Sequence, residues 1–348
     1  MRKKVLVADD SALMRKTLCD IINSVPGFEV TSICRDGKSA LKAISEKSCD
    51  CIVMNIYLEG MSTVSLFKSL KDLKCHIPII AITSAVSEDR ERTVQALEAG
   101  IVDMVVRPYS FEDKASNEKF RMSLISALKA IPDSNTASLF NDQASLGDMS
   151  IRKRKVNYSL VALACSTGGP QALHRMIPML PAHIGVPMVI VQHMPAGFTA
   201  SLAERIDQDS QISVREASDQ EILKPDTVYI APGGRHFAVA EDRMGNLIAH
   251  VYDGPPVHNL RPCADVMYES LCRVRANNIL CVVLTGMGAD GTEGISRLRD
   301  CKHIYTISQD EKSCVVYGMP KSVYDKGLSD EVKPITEIAK AISRELGV

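Results

Sequence analysis

A serine in a glycine-rich turn is the first residue whose setting could support chemistry. Ser166 follows a short apolar run and precedes Thr167, two glycines and a proline, after which a helical pattern begins. Glycines allow a sharp turn and a close approach of substrate, and the free N–H groups of a helix start can stabilise an anion. This geometry suits a nucleophile elbow with Ser166 as nucleophile, but the motif lacks the first glycine of G-x-S-x-G. Taken alone, it more commonly indicates a helix-capping turn or a phosphate-binding loop.

A serine hydroxyl is a weak nucleophile unless a base removes its proton. His193 directly follows a second apolar run, and Asp290 lies in a glycine-rich turn after a third. Taken singly, the histidine could be structural and the aspartate could cap a helix. Because the carboxyl ends of parallel strands meet at one edge of a sheet, we expect Ser166, His193 and Asp290 to meet there. The histidine would then act as the base and the aspartate would orient it.

Other reactive side chains compete with this interpretation. Cys165 precedes the serine, and a thiolate is the stronger nucleophile, but strand alternation points it away from Ser166. We therefore interpret Cys165 as a buried packing residue. His236, His250 and His258 lack the spacing of metal ligands, so we assign them to loops or to a hairpin and predict no metal site.

A second group of polar residues follows the strands predicted in the first third of the chain. Asp9 and Asp10 come after the first apolar run, Asn55 after the third, Thr83 after the fourth and Arg107 after the fifth. Two adjacent carboxylates repel each other unless a cation or a base lies nearby, so a binding pocket is one interpretation of the pair. The alternative is a pair that caps the helix that follows.

The elements that must position these residues are short apolar runs that alternate with amphipathic segments. In the first third of the chain this pattern predicts a five-stranded, doubly wound parallel sheet with helices on both faces. The predicted strands are 5–8, 28–33, 51–54, 77–82 and 104–106. The predicted helices are 12–25, 36–47, 62–73 and 87–99.

The same alternation returns later in the chain and predicts a larger, Rossmann-like doubly wound α/β domain with a β-hairpin. Its predicted strands are 159–164, 188–192, 212–216, 228–230, 279–284 and 304–308. Its predicted helices are 171–180, 198–206, 264–274 and 292–299, and the hairpin strands are 237–240 and 247–251.

A stretch without periodicity separates the two patterns. We therefore predict a receiver-like domain at 1–130, a linker at 131–155 that is rich in serine, aspartate and asparagine, and a catalytic domain at 156–348. A basic cluster at 152–155 ends the linker. A solvated domain edge is the expected role of that cluster, and an acidic partner is the alternative.

Composition excludes several classes of function. The chain has 348 residues, and its 41 basic and 42 acidic side chains leave a net charge of −1, so nucleic acid is not an expected partner. Its 11 cysteines form no C-x-x-C pair, which is typical of reduced thiols. The apolar runs are too short for a signal peptide or for a membrane span of about 18 residues. We expect a cytoplasmic protein without membrane insertion.

Residues 4–129 resemble a response-regulator receiver domain, on the motif at 7–15 and on the strand-end residues. In that family an acidic pair binds Mg²⁺, an aspartate after the third strand is phosphorylated, a threonine or serine after the fourth contacts the phosphate, and a lysine follows the fifth strand. Asp9, Asp10 and Thr83 match, but Asn55 and Arg107 depart from the pattern. A carboxamide cannot attack phosphorus as a carboxylate does, and a guanidinium is not a compact ammonium. The resemblance therefore predicts a pseudo-receiver with no phosphorylation at Asn55 and weak or no Mg²⁺ binding.

The whole chain resembles the chemotaxis protein-glutamate methylesterase (CheB) family. The motifs that carry the resemblance are Ser166-Thr-Gly-Gly-Pro, Gln192-His-Met-Pro, Ala231-Pro-Gly-Gly, Asp253-Gly-Pro-Pro-Val, Arg261-Pro, Leu284-Thr-Gly-Met-Gly-Ala-Asp-Gly and Ser313-Cys-Val-Val-Tyr-Gly-Met-Pro. The resemblance implies hydrolysis of glutamate γ-methyl esters on chemoreceptor helices, and often deamidation of glutamine, without a cofactor. It also implies that Ser166, His193 and Asp290 form the triad, that Thr167 and Met287 line the site, and that methylated chemoreceptors and a chemotaxis histidine kinase are the partners.

Three questions stay open from the sequence. In the family the receiver covers the active site until it is phosphorylated, whereas here it could inhibit, permit or answer to a protein partner. A signalling adaptor with little turnover is one alternative function, although the intact triad argues against it. A serine esterase for small soluble esters is the other, and activity on such esters without receptor would reveal it.

Overall fold

The computed structural model describes residues 2–46, 49–58, 65–66, 69–70, 77–84, 87–98, 100–131 and 156–348. The chain divides into two units, Met1–Ala137 and Ser138–Val348, and each is described by itself. Residues 132–155 of the predicted linker, with the basic cluster, lie outside the described residues, as does most of the helix predicted at 62–73. Within the described ranges, no helix is both long and apolar enough to cross a membrane.

The first unit contains a five-stranded parallel sheet in the order β2-β1-β3-β4-β5. Its strands are β1 (Lys3–Ala8), β2 (Phe28–Cys34), β3 (Cys51–Asn55), β4 (Ile79–Thr83) and β5 (Asp103–Val106). The described helices are α1 (Ala12–Ser24), α2 (Gly37–Ser45), α3 (Ser87–Glu98) and α4 (Lys114–Lys129). Every residue of β3 and β4 is buried, as expected for strands with helices on both faces. This sheet confirms the predicted fold.

The second unit contains a seven-stranded parallel sheet in the order β14-β13-β12-β6-β7-β9-β8 and a separate antiparallel hairpin, β10-β11. The strands are β6 (Leu160–Cys165), β7 (Met188–Gln192), β8 (Ser213–Glu216), β9 (Thr227–Ile230), β10 (His236–Glu241), β11 (Leu247–Tyr252), β12 (Asn278–Val283), β13 (His303–Gln309) and β14 (Glu331–Lys333). The helices are α5 (Gly169–Met176), α6 (Phe198–Asp209), α7 (Ala264–Leu271), α8 (Thr292–Cys301), α9 (Met319–Asp325) and α10 (Ile335–Leu346). The Rossmann-like fold and the hairpin are confirmed.

Some predicted boundaries differ from the structure for local reasons. The helix predicted at 171–180 is α5, which begins at Gly169 and ends at Met176, and the chain continues as a 3₁₀ turn through Ile177–Met179. Pro178 has no N–H to donate to the preceding turn, so the α-helical ladder stops there. The helix predicted at 264–274 ends at Leu271.

The strand order of the second sheet reverses at β6. From β6 the chain moves to β7 on one side, and later it returns to β12 on the other side of β6. Parallel pairing aligns Cys165 with Gln192, and Ala164 with Val283. The loops that leave the carboxyl ends of β6, β7 and β12 are therefore neighbours. Ligands of open α/β sheets bind at such a switch point.

Candidate active site

The register of β6 and β7 brings Ser166 and His193 together. Each residue directly follows its strand, and the backbone N–H of His193 donates to the carbonyl of Cys165 at 3.3 Å. Adjacent strands lie about 4.8 Å apart, so the two side chains start from neighbouring backbone positions. Among the described residues, the Ser166 hydroxyl and the His193 ring form no hydrogen bond with each other. Such contacts are often looser in the absence of substrate.

The His193 ring is held by Asp290. Nε2 of His193 lies 2.7 Å from Oδ2 of Asp290, and both side chains are almost fully buried. An ionised carboxylate can only accept hydrogen bonds, so Nε2 carries the proton. In the neutral ring, Nδ1 is then the nitrogen with a lone pair for the serine proton.

Asp290 is surrounded by donors from the start of α7. The backbone N–H of Ala264 donates to Oδ2 at 2.6 Å, and that of Asp265 donates to Oδ1 at 3.0 Å. The thiol of Cys263 donates to Oδ1 at 3.1 Å. Burial alone would raise the pKa of Asp290, but the hydrogen bond and charge of His193 and these N–H groups together hold it well below its usual range. Asp290 therefore stays ionised beside the histidine.

A second buried carboxylate, Asp265, supports the turn that carries Asp290. Its Oδ1 accepts from the backbone N–H groups of Gly291 at 3.0 Å and Gly294 at 2.6 Å. Burial, assisted by the charge of Asp290, raises the pKa of Asp265 to about 6 in spite of these bonds. A metal ion could in principle be held by the ligand atoms of three neighbouring side chains here, Cys263, Asp265 and Asp290. Both carboxylates, however, already accept hydrogen bonds from peptide N–H groups.

The raised pKa of Asp265 predicts a pH-dependent effect of Asp265→Asn on stability. Wild type loses stability as the pH rises from about 4 to about 6, because folding must then keep an ionised carboxylate buried; the loss is at most about 3 kcal/mol. The asparagine variant retains the Oδ1 acceptor and has no charge to bury. We expect it to gain stability relative to wild type between pH 4 and pH 7, as measured by denaturant unfolding. A difference in unfolding free energy that stays constant with pH would contradict this.

The turn after β12 packs against the nucleophile turn. The N–H of Ser166 donates to the carbonyl of Thr285 at 3.0 Å, and the hydroxyl of Thr285 donates to the carbonyl of Thr167 at 3.0 Å. A Cβ at Gly286 would lie 2.9 Å from Cβ of Ser166, so only glycine allows this approach. Thr167 and Met287 thus lie in the two turns that flank Ser166.

The competing cysteine and histidines differ from the predicted triad in burial or in position. Cys165 is fully buried, and burial raises the pKa of its thiol far above the usual value, so it does not present a thiolate. His236 lies in β10, where Nε2 is 2.9 Å from the carbonyl oxygen of Pro255. His250 lies in β11 and stacks on a tyrosine ring, and His258 lies in the following loop.

The polar residues of the first unit also cluster at the strand ends. Nδ2 of Asn55 donates to Oδ1 of Asp10 at 3.1 Å, and Oδ1 of Asn55 accepts from the N–H of Tyr57 at 3.0 Å. The hydroxyl of Thr83 is buried, 2.8 Å from the hydroxyl of Thr93. The side chain of Arg107 is exposed.

Asp9 is fully buried, and only one of its oxygens has a hydrogen-bond partner among the residues that the structure describes. Oδ1 accepts from the N–H of Ser11 at 2.8 Å, and Oδ2 has no partner within those ranges. Burial, together with Asp10, raises the pKa of Asp9 to about 6. The alternative that the acidic pair caps the first helix is wrong, because the hydroxyl of Ser11 accepts from the N–H of Met14 and forms that cap.

Sequence reasoning missed two polar residues at this edge of the second sheet. One is Asp265, described above. The other is Gln192, whose amide donates to the backbone carbonyls of Ser166 and His193, in the turns after β6 and β7. The one signal for Gln192 is its place directly before His193, at the end of an otherwise apolar strand.

Comparison with known proteins agrees with this division into two units. Residues 161–342 match the family model described as CheB methylesterase, and residues 5–115 match the response regulator receiver domain. A protein-glutamate methylesterase/protein-glutamine glutaminase of Desulfotalea psychrophila is 37% identical over 356 residues, covering 97% of each chain. Its namesake in Bacillus subtilis is 33% identical over 351 residues, covering 98% of this chain and 97% of the relative.

A solved structure resembles the second unit. The crystal structure of the Thermotoga maritima CheB methylesterase catalytic domain is 39% identical and has a TM-score of 0.52. The match covers 54% of this chain and 98% of that one.

Proposed function

The chain belongs to the CheB methylesterase family and is a protein-glutamate methylesterase/protein-glutamine glutaminase of chemotaxis adaptation, and we propose that Ser166, His193 and Asp290 perform its hydrolysis. The observation that carries this assignment is the 2.7 Å contact between His193 and Asp290, directly beside a serine at the next strand end. The substrates are methylated chemoreceptors, as family membership implies.

The first half of the reaction is acyl transfer to the serine. Nδ1 of His193 takes the hydroxyl proton, and Oγ of Ser166 attacks the γ-carbonyl carbon of the methyl ester. Asp290 stabilises the imidazolium that forms. Backbone N–H groups at Thr167 and Met287 would stabilise the oxyanion, and each such donor typically contributes ~3–4 kcal/mol. Collapse of the tetrahedral intermediate breaks the bond to the methoxy oxygen, which leaves as methanol with the proton from His193.

The second half regenerates the enzyme. Water replaces methanol, gives its proton to His193 and attacks the acyl-serine carbonyl. The ester bond to Ser166 breaks, the proton returns to Oγ, and a glutamate side chain is released. With a glutamine substrate the same steps release ammonia in place of methanol.

Methanol release from methylated receptor by the full chain tests this function. We expect steady release with no added metal or cofactor. No release from receptor that is confirmed to be methylated would favour the adaptor function. Faster turnover of small soluble esters than of receptor would favour a small-ester hydrolase.

We propose domain limits of 1–130 and 156–348, with 131–155 as linker, and a cytoplasmic location where receptor helices are accessible. We also propose that the receiver-like unit is a pseudo-receiver. The Asn55 amide donates to Asp10 in the place where a cation would bind that carboxylate, so the donor set fits an amide–carboxylate bond better than Mg²⁺. A chemotaxis histidine kinase would then bind this unit without transferring phosphate to Asn55.

Asn55→Asp is the variant that tests the pseudo-receiver. We expect wild type to gain no phosphoryl group from a small phosphodonor with Mg²⁺, and Asn55→Asp to gain one, because a carboxylate oxygen can attack phosphorus. Intact mass after incubation measures both. A phosphoryl group on wild type that Asn55→Ala loses would contradict the proposal, and one that both retain would place the acceptor at another residue.

A further inference from the structure

Gln192 is a buried polar residue that the mechanism above does not use. It ends β7, directly before His193, and only 2% of it is exposed. Its Nε2 donates to two carbonyl oxygens, that of Ser166 at 3.1 Å and that of His193 at 3.1 Å. A primary amide has two N–H groups, so one side chain satisfies both acceptors.

The other end of the amide is fixed as well. Oε1 of Gln192 accepts from the thiol of Cys165 at 3.0 Å. A Cβ at position 169 would lie 1.9 Å from this oxygen, so Gly169 provides the space that the amide occupies. Reversing the amide would turn its oxygen towards two carbonyl oxygens and lose both hydrogen bonds.

These bonds join the backbone of the nucleophile to the backbone of the base. The ladder between β6 and β7 ends at the pair Cys165 and Gln192, and each strand then enters its own turn. Past that pair, the amide of Gln192 connects the two turns through the carbonyls of Ser166 and His193. The separation of the serine and histidine backbones therefore depends on this side chain together with the bond from the N–H of His193 to the carbonyl of Cys165.

We propose that Gln192 is a positioning residue that sets the distance from Oγ of Ser166 to the ring of His193. The inference rests on the proposed roles of those two residues. Gln192 is buried beneath the turns, so it acts on the rate of acyl transfer and leaves receptor binding unchanged. A displacement of about 1 Å at reacting groups typically costs about 10²-fold in rate.

Gln192→Met is the main test, because methionine fills a similar volume and donates no hydrogen bond. We expect kcat for methanol release to fall about 30- to 100-fold with KM changed less than about threefold. The rate at which a fluorophosphonate labels Ser166 should fall by the same factor, since that reaction also needs the serine and its base together.

Gln192→Glu supplies a readout that packing alone would not change. A protonated glutamate donates one hydrogen bond where the amide donates two, and an ionised one donates none. Its kcat should therefore fall as the pH rises through the titration of the new carboxyl, a falling limb that the wild-type profile lacks. A pH profile parallel to that of wild type would overturn the proposal.

Tyr268→Phe is the matched control for lost stability. The Tyr268 hydroxyl is fully buried and contacts the carbonyls of Ala162 and Val282, on β6 and β12, below the site. We expect this variant to lower the unfolding temperature while kcat stays within about twofold of wild type.

Wild-type kcat in Gln192→Met would overturn the proposal. The proposal would also be overturned if Gln192→Met and Tyr268→Phe lost kcat in the same proportion to their drop in unfolding temperature. Failure of the proposed function looks different, because then Ser166→Ala itself would retain activity.

Discussion

Replacing Ser166 with alanine should lower the rate of methanol release by a factor on the order of 10⁴–10⁶, the largest effect expected of any substitution in this chain. The variant has no oxygen to form the acyl-enzyme, and the residual rate comes from substrate binding and oxyanion stabilisation alone. The side chain is small and partly exposed, so the unfolding free energy should change by less than about 0.5 kcal/mol. Methanol assays with denaturant unfolding separate these effects.

Cys165→Ala is the matched control for this experiment. Its thiol lies one residue away but is fully buried, with a pKa raised far above the usual value. It should retain activity within about tenfold, because the substitution leaves the backbone bond to His193 in place and removes only the thiol's hydrogen bond to Gln192. If Ser166→Ala lowers the rate of methanol release less than tenfold, Ser166 is not the nucleophile. If Cys165→Ala also loses nearly all activity in that case, the nucleophile is Cys165.

The strand-end rule explains how much of the site the sequence could predict. Ser166, His193 and Asp290 each follow a short buried run, and parallel strands place such residues at one edge. The ring nitrogen that contacts Asp290 could not be predicted, because it depends on the rotation of an imidazole. The donors from α7 were equally hidden, since they belong to the backbone of a segment far away in the sequence.

The elements that the sequence prediction missed are of two kinds, short segments and helices with a readable apolar face. α9 and β14 have seven and three residues, too few to show a period. α10 is different, because Ile335, Ile338, Ala339 and Ile342 bury one face at helical spacing and give a clear signal that the prediction omits. α4 is also omitted, although it buries one face.

The acidic pair of the first unit shows a limit of motif reasoning. Two aspartates before a helix suggest a cap, but the serine that follows them has the shorter side chain suited to reach the N–H of Met14. Asp9 is left buried with a raised pKa instead. In both units, polar residues thus lie together at the carboxyl ends of the parallel strands. The identity of those residues decides what chemistry each unit can support.

The second large effect is expected for Asp290→Asn, which should lower kcat by a factor on the order of 10⁴. Both orientations of the new amide are unfavourable. With its nitrogen towards His193, the amide donates to Nε2, so Nδ1 takes the proton and loses the lone pair that would remove the serine proton during the reaction. With its nitrogen on the other side, it faces the N–H of Asp265, a second donor. Neither orientation stabilises the imidazolium by charge.

Asp290→Asn should also destabilise the second unit, because donors surround both carboxylate oxygens of Asp290. One peptide N–H of α7 loses its acceptor in a buried place, which typically costs about 1–3 kcal/mol. Asp265→Asn is the matched control, because its Oδ1 can keep both glycine N–H groups while Oδ2, 4.0 Å from His258, becomes the amide nitrogen. We expect that variant to keep kcat within about tenfold. Similar losses of kcat in both variants, or wild-type kcat in Asp290→Asn, would show that the carboxylate of Asp290 does not orient the base.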